Sequence, residues 1–123
     1  MKQWIWAVIL VGLLAACGAA DIAGDPADVV AQYVQAKVEG DADVIGQLLC
    51  SEMESNLQAE AASFSAVDNP RIEGLQCTAD GNVVSCEGEI LADYGTGDEV
   101  FPLGAYRVVQ EDGEWKWCGE TAG

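Results

Sequence analysis

The sequence predicts an α+β domain in which N-terminal helices pack on one face of a curved, antiparallel, four-stranded meander. Three observations predict it. Between residues 25 and 64 apolar side chains recur at helical spacing behind helix-start signals. From Arg71 onward they alternate with polar ones between short turns rich in Asp and Gly. Four cysteines spread over both parts, Cys50, Cys77, Cys86 and Cys118, offer two disulfides to a domain small enough to need them.

The first helix opens at Asp25-Pro26-Ala27-Asp28, with an N-cap acid, proline at the first helical position and a further acid in the first turn. Val30, Tyr33, Val34 and Val38 form its apolar stripe, and Gly40 supplies the C-cap. Asp41 starts a second helix that carries Val44, Ile45, Leu48 and Leu49. Ser51-x-x-Glu54 has the pattern of a capping box, so a third helix, separate from the second or continuous with it, is expected through Met53, Leu57, Ala61 and Phe64 until Asp68-Asn69-Pro70 breaks it. None of these caps is functional in itself.

Strands are expected at Arg71–Thr78, Asn82–Tyr94, Glu99–Gln110 and Glu114–Cys118. They are joined at Asp80-Gly81-Asn82, Gly95-Thr96-Gly97-Asp98 and Glu111-Asp112-Gly113. The first turn bears on the sulfurs. If Gly81-Asn82 is the two-residue loop, Cys77 falls opposite Cys86 and Cys50 is left to Cys118. If Asp80-Gly81 is the loop, Cys77 faces Val84 and that pairing weakens. Zinc is the competing use of four cysteines, but no Cys-x-x-Cys knuckle occurs.

The segment before the domain reads as an address. A single cation, Lys2, precedes an apolar run from Ile5 to Ala16 broken only by Gly12, too short for the ~20 residues of a membrane-spanning helix. Leu14-Ala15-Ala16-Cys17-Gly18 resembles the bacterial lipobox. That resemblance implies cleavage after residue 16, a diacylglyceryl group on the Cys17 sulfur, and anchorage to the lipid bilayer of a bacterial cell envelope. Residues 17–24 would then form the lipidated cysteine and a short tether, whose seven residues from Gly18 reach roughly 23 Å. The domain proper is expected over 25–119.

The formal charge is −16, with 21 acidic and 5 basic residues, and no histidine is present. Loss of Lys2 with the leader makes the mature chain one unit more negative. This charge argues against nucleic acid, which is bound through clustered Lys and Arg. The lack of histidine removes Ser-His-Asp and Cys-His nucleophilic sites and imidazole-based metal sites. Asp41-x-Asp43 and Gly97-Asp98-Glu99 lack the rest of an EF-hand loop, so neither a metal nor a cofactor is expected.

Pro26, Val29-Val30, Tyr33-Val34, Gly40-Asp41 and Leu48-Leu49, together with the ending Tyr106-Arg107-Val108-Val109-Gln110-Glu111-Asp112-Gly113-Glu114-Trp115-Lys116-Trp117-Cys118, resemble the nuclear-transport-factor-2-like (NTF2-like, cystatin-like cone) superfamily. The resemblance spans roughly residues 25–119. It implies a curled sheet and helices enclosing a conical pocket, used by some members for isomerase, cyclase or dehydratase chemistry and by others for binding alone. No catalytic set of that superfamily matches residue by residue here.

Glu87, Glu89 and Asp93, with Tyr33, Tyr94 and Tyr106 as hydroxyl donors, are the candidates for acid–base work. The three acids fall on the polar side of an alternating strand, where a solvated face is the simpler reading. Trp115 and Trp117 share one strand face and, with Tyr33 and Tyr106, are the candidates for contact with an apolar ligand, although core packing is the simpler account of Tyr33 and of at least one tryptophan. The expectation is therefore a non-enzymatic envelope lipoprotein that binds a small apolar molecule or a partner protein. A small lyase or isomerase using a pocket carboxylate is the alternative.

Overall fold

A computed structural model describes residues 24–122. The leader over 1–16 and the lipidation at Cys17 lie outside the described residues. No helix among the described residues is long and apolar enough to cross a membrane.

Helix α1 spans Pro26–Glu39. The Asp25 carboxylate accepts the Ala27 N–H at 2.8 Å, and Gly40, at φ 71°, ends the helix by donating its N–H to the Ala36 and Lys37 carbonyls. Its apolar stripe buries Val30, Tyr33, Val34 and Val38. Helix α2, Ala42–Leu48, is capped by Asp41, whose side chain accepts the Val44 N–H.

The next stretch departs from expectation. No continuous third helix forms. A 3-10 segment, Ser51–Asn56, leads into the single short helix α3, Leu57–Ala61. The cause is the last strand. Leu49 forms a parallel bridge with Trp117, the Cys50 N–H donates to the Trp117 carbonyl at 2.9 Å, and Cys50 is disulfide-bonded to Cys118. These ties pull the chain out of helical conformation. The capping box is lost as well. The Ser51 hydroxyl and N–H both donate to the Glu111 carboxylate, at 2.9 and 3.1 Å, rather than serving Glu54.

The sheet has five strands, not the expected four: β1 (Asp68–Asp80), β2 (Val83–Asp93), β3 (Asp98–Pro102), β4 (Ala105–Glu111) and β5 (Glu114–Thr121). Its order is β1-β2-β4-β5, with β3 pairing the far half of β2. Strands β3 and β4 are the expected Glu99–Gln110 strand divided at Leu103-Gly104. The division follows from register. Ser85 faces Ala105 and Glu89 faces Pro102, so β2 carries one residue more than its partner across this interval. The Cys86 N–H donates to the Gly104 carbonyl, and the Leu103 N–H to that of Gly88, so the bend keeps its backbone bonds.

Gly88 is where two irregularities coincide. β1 carries its own extra residue between Glu73 and Gln76, opposite this point. Gly88 sits at φ +109°, and a Cβ there would lie 2.6 Å from the Glu73 carbonyl oxygen. Only glycine allows the two strands this approach. Beyond it, Asp80 faces Val83, so Gly81-Asn82 is the loop, and Cys77 and Cys86 stand opposite each other and are disulfide-bonded. The last hairpin turns at Asp112-Gly113, both at positive φ, as a two-residue hairpin requires.

The core lies between α1 and the concave face of the bent sheet. Val30, Tyr33, Ile45, Val84 and Val108 are almost wholly buried there. Each contributes about 1.5–3 kcal/mol by leaving water.

Candidate functional site

Three of the four predicted contact residues come together. Tyr33 from α1, Tyr106 from β4 and Trp117 from β5 line a cavity of about 170 Å³ under the curled sheet, with Val34, Phe64, Ile90, Phe101 and Leu103 completing its apolar walls. Lys37 and Glu120 stand among the same lining residues. The helical stripe and the strand alternation deliver these side chains to one place because α1 packs against the sheet face that carries Tyr106 of β4 and Trp117 of β5.

The aromatic wall is ordered by stacking. The Tyr33 and Trp117 rings lie 3.9 Å apart and within 10° of parallel, and Tyr106 tilts against the indole at 6.2 Å. Phe64 meets Phe101 edge-on. Trp117 is 3% exposed, yet its Nε1–H, buried, meets no acceptor.

Polar chemistry enters through Glu60 of α3. The Tyr33 hydroxyl donates to its Oε1, and Lys37 approaches its Oε2 at 3.5 Å. Burial, then the hydrogen bond to Glu60 and the nearby carboxylate charge, push the Tyr33 phenol well above its ordinary range. Burial also raises Tyr106, and the charge of Glu120 adds to this, while the Gly104 N–H donated to its hydroxyl opposes it. Both phenols stay protonated at neutral pH; Tyr33 donates its proton to Glu60, and Tyr106 accepts the Gly104 N–H.

The other candidates fall elsewhere. Trp115 leaves the group and borders a broader open cleft of about 600 Å³ with Asp25, Asp28, Gln47, Leu48 and Lys116. Glu87 is exposed and faces Gln76, and Glu89 faces Glu73 across β1. Asp93 holds a turn, accepting the Gly95 and Gly97 N–H groups. Tyr94 is 50% exposed. The acid that does meet a pocket tyrosine, Glu60, escaped the sequence reading. Its signal was present: it lies four residues before Phe64, beside the Leu57–Ala61–Phe64 stripe.

Among the described residues, Cys50, Glu52 and Cys118 lie close enough together to suggest a metal site. The two sulfurs are bonded to each other, so neither is a thiolate ligand.

No protein-family model matches the chain, and no curated protein does. Solved structures are similar. A SEC-C motif-containing protein from Rhodopseudomonas palustris aligns over 85% of this chain and 80% of its own, with 16% identity and a TM-score of 0.57. A designed NTF2-like protein, Rd1NTF2_05, aligns over 76% of this chain and 92% of its own, with 14% identity and a TM-score of 0.54. At such identities the likeness extends to the fold alone, and that fold, helices packed against a bent antiparallel sheet, is NTF2-like.

Proposed function

We propose that this is a non-enzymatic, extracytoplasmic lipoprotein, anchored through Cys17, whose NTF2-like domain binds a small apolar molecule. Two disulfides support an oxidising compartment, and the lipobox pattern supports the anchor. The observation that carries the binding reading is the aromatic-walled cavity of about 170 Å³. Its volume sets the ligand size. A cavity of roughly 150 Å³ lined by apolar side chains accommodates benzene, so this one suits a single ring or a short chain rather than a polycycle. A partner protein, the other expected occupant, has less support, because the apolar surface is drawn inward.

The test is to recover the protein from its native envelope, extract it with solvent and identify bound small molecules by mass spectrometry. Val34→Phe would fill the cavity. The expected result is a co-purifying molecule of one-ring size in the wild type and none in a folded Val34→Phe protein. A molecule retained equally by both would overturn the reading.

One observation favours an isomerase or lyase: an acid and a tyrosine, Glu60 and Tyr33, lie within hydrogen-bond reach at the cavity. That chemistry needs Tyr33 to polarise a substrate oxygen while Glu60 takes a proton. The phenol has one proton and donates it to Glu60, so the two roles compete for the same hydrogen. Binding without chemistry is the better fit.

A further inference from the structure

The cavity carries one charge that the preceding reading does not use. On a regular strand Trp117 and Glu120, three residues apart, would point to opposite faces. On β5 an irregularity intervenes. Trp117 lies opposite Val108 and Glu120 opposite Tyr106, so β5 has one residue more than β4 over this interval, and Gly119 sits there at φ 104°. Such a bulge re-aims the side chain beyond it. Residues directly opposite each other in a strand pair share a face, so Glu120 comes to the face of Tyr106 and joins it in lining the cavity of about 170 Å³. Glu120 is exposed, which puts it where that cavity opens to solvent. With Pro102 and Tyr106 it also lines a neighbouring hollow of about 150 Å³.

Among the described residues Glu120 makes no ion pair. Lys37, the cation of the lining, is paired with Glu60 at 3.5 Å, so its charge is already balanced. One carboxylate is left uncompensated. Resting on the apolar-binding reading, we infer that the ligand is a small organic amine, bound as its monocation, whose ring or short chain fills the cavity and whose ammonium group pairs with Glu120. The place of the carboxylate sets the ligand's architecture. An ammonium deep among the apolar walls would lose its hydration with nothing in return. At the opening it keeps water on one side and gains a counter-charge on the other. A ligand carboxylate would meet Glu120 with like charge and no free cation. A hydrocarbon would gain nothing from Glu120. The formal charge of −16 over the whole chain also draws cations, not anions, towards the domain.

Benzylamine is a suitable probe, with benzyl alcohol as its neutral isostere. Each is titrated into the full chain and its dissociation constant is read from NMR shifts. Glu120→Gln removes the charge, keeps the shape and, at an exposed position, leaves the fold intact. It is expected to weaken benzylamine about fivefold, the upper end of what an exposed ion pair supplies, and benzyl alcohol by less than about twofold. Raising NaCl from about 0.05 M to about 0.5 M should bring wild type and Glu120→Gln together for benzylamine. Glu73→Gln removes an exposed acid outside the cavity lining and should change either probe by less than about twofold. Three results overturn the inference: benzylamine unchanged in Glu120→Gln, both probes weakened equally there, or benzylamine weakened as much in Glu73→Gln. In each of these, benzyl alcohol bound to the wild type leaves apolar binding standing. Failure of both probes to bind the wild type overturns both.

Discussion

The Tyr33 ring lies flat against the Trp117 indole, 3.9 Å away, while its hydroxyl reaches out of the stack to Glu60. One side chain thus joins α1, α3 and β5. Replacing it with phenylalanine keeps the stack and removes only the hydrogen bond to a charged acceptor. Tyr33→Phe is expected to lower the free energy of unfolding by about 1.5–3 kcal/mol, read from the urea midpoint at unchanged slope. A change within 0.5 kcal/mol would mean that the Glu60 contact is incidental.

The same phenol gives an alkaline signature. In the folded chain its pKa is raised, chiefly by burial, from the ordinary 10.0. Below pH 10 both states are protonated and the tyrosine's contribution is complete. Above it the unfolded chain ionises while the folded one keeps its proton, so stability falls by about 1.4 kcal/mol for each pH unit. Tyr33→Phe has no such loss. The stability gap between wild type and variant should therefore narrow as pH rises above 10, and a gap that stays constant would contradict it.

Gly88 should be the most sensitive glycine of the bend. An alanine Cβ would collide with the Glu73 carbonyl, at a positive φ that disfavours it in any case. Gly88→Ala is expected to cost about 2–4 kcal/mol. Gly104→Ala is the control, since a Cβ there meets nothing within 4 Å and φ is not positive. Equal effects in chemical denaturation would remove the argument that strand approach demands glycine.

How far the sequence could be read depended on the range of the forces involved. Asp25-Pro26 and Asp112-Gly113 were legible because caps and two-residue turns are satisfied by their own neighbours. Ser51 and Glu54 presented an equally local signal that failed, since Glu111, sixty positions away, offers a charged acceptor and wins the serine. The break at Leu103-Gly104 was hidden because it is a property of pairing: neither strand alone records which partner has the extra residue. Tyr33 and Trp117 were each visible as apolar-face aromatics, but the meeting of Tyr33 with Glu60, and of Lys37 with the same acid, exists only once α3 folds back over α1.

The two disulfides should differ in worth. Cys50–Cys118 closes a separation of 68 residues and Cys77–Cys86 one of 9. Loop-closure entropy assigns them about 4 and about 2.5 kcal/mol. The double alanine variant of Cys50 and Cys118 should therefore unfold at lower urea than that of Cys77 and Cys86. It should also free Ser51 from its tether to Glu111, since Cys50 positions that residue. The reverse order of midpoints would show that hairpin geometry, rather than loop length, governs the stabilisation.

Membrane retention should depend on Cys17 alone. The charge favours no other hold on an acidic bilayer: the whole chain's formal charge of −16, one unit more negative once Lys2 is lost, repels anionic headgroups, and no described helix is long and apolar enough to cross the membrane. A single acyl chain binds only marginally, whereas the diacylglyceryl that the lipobox implies supplies two. Cys17→Ser is expected to leave the chain uncleaved, or to release it into the aqueous fraction, with the intact mass lacking the lipid. Unchanged retention of a correctly processed Cys17→Ser chain would mean that a surface of the domain itself binds the membrane. The broad cleft beside Trp115 and Lys116 would then be the first place to look.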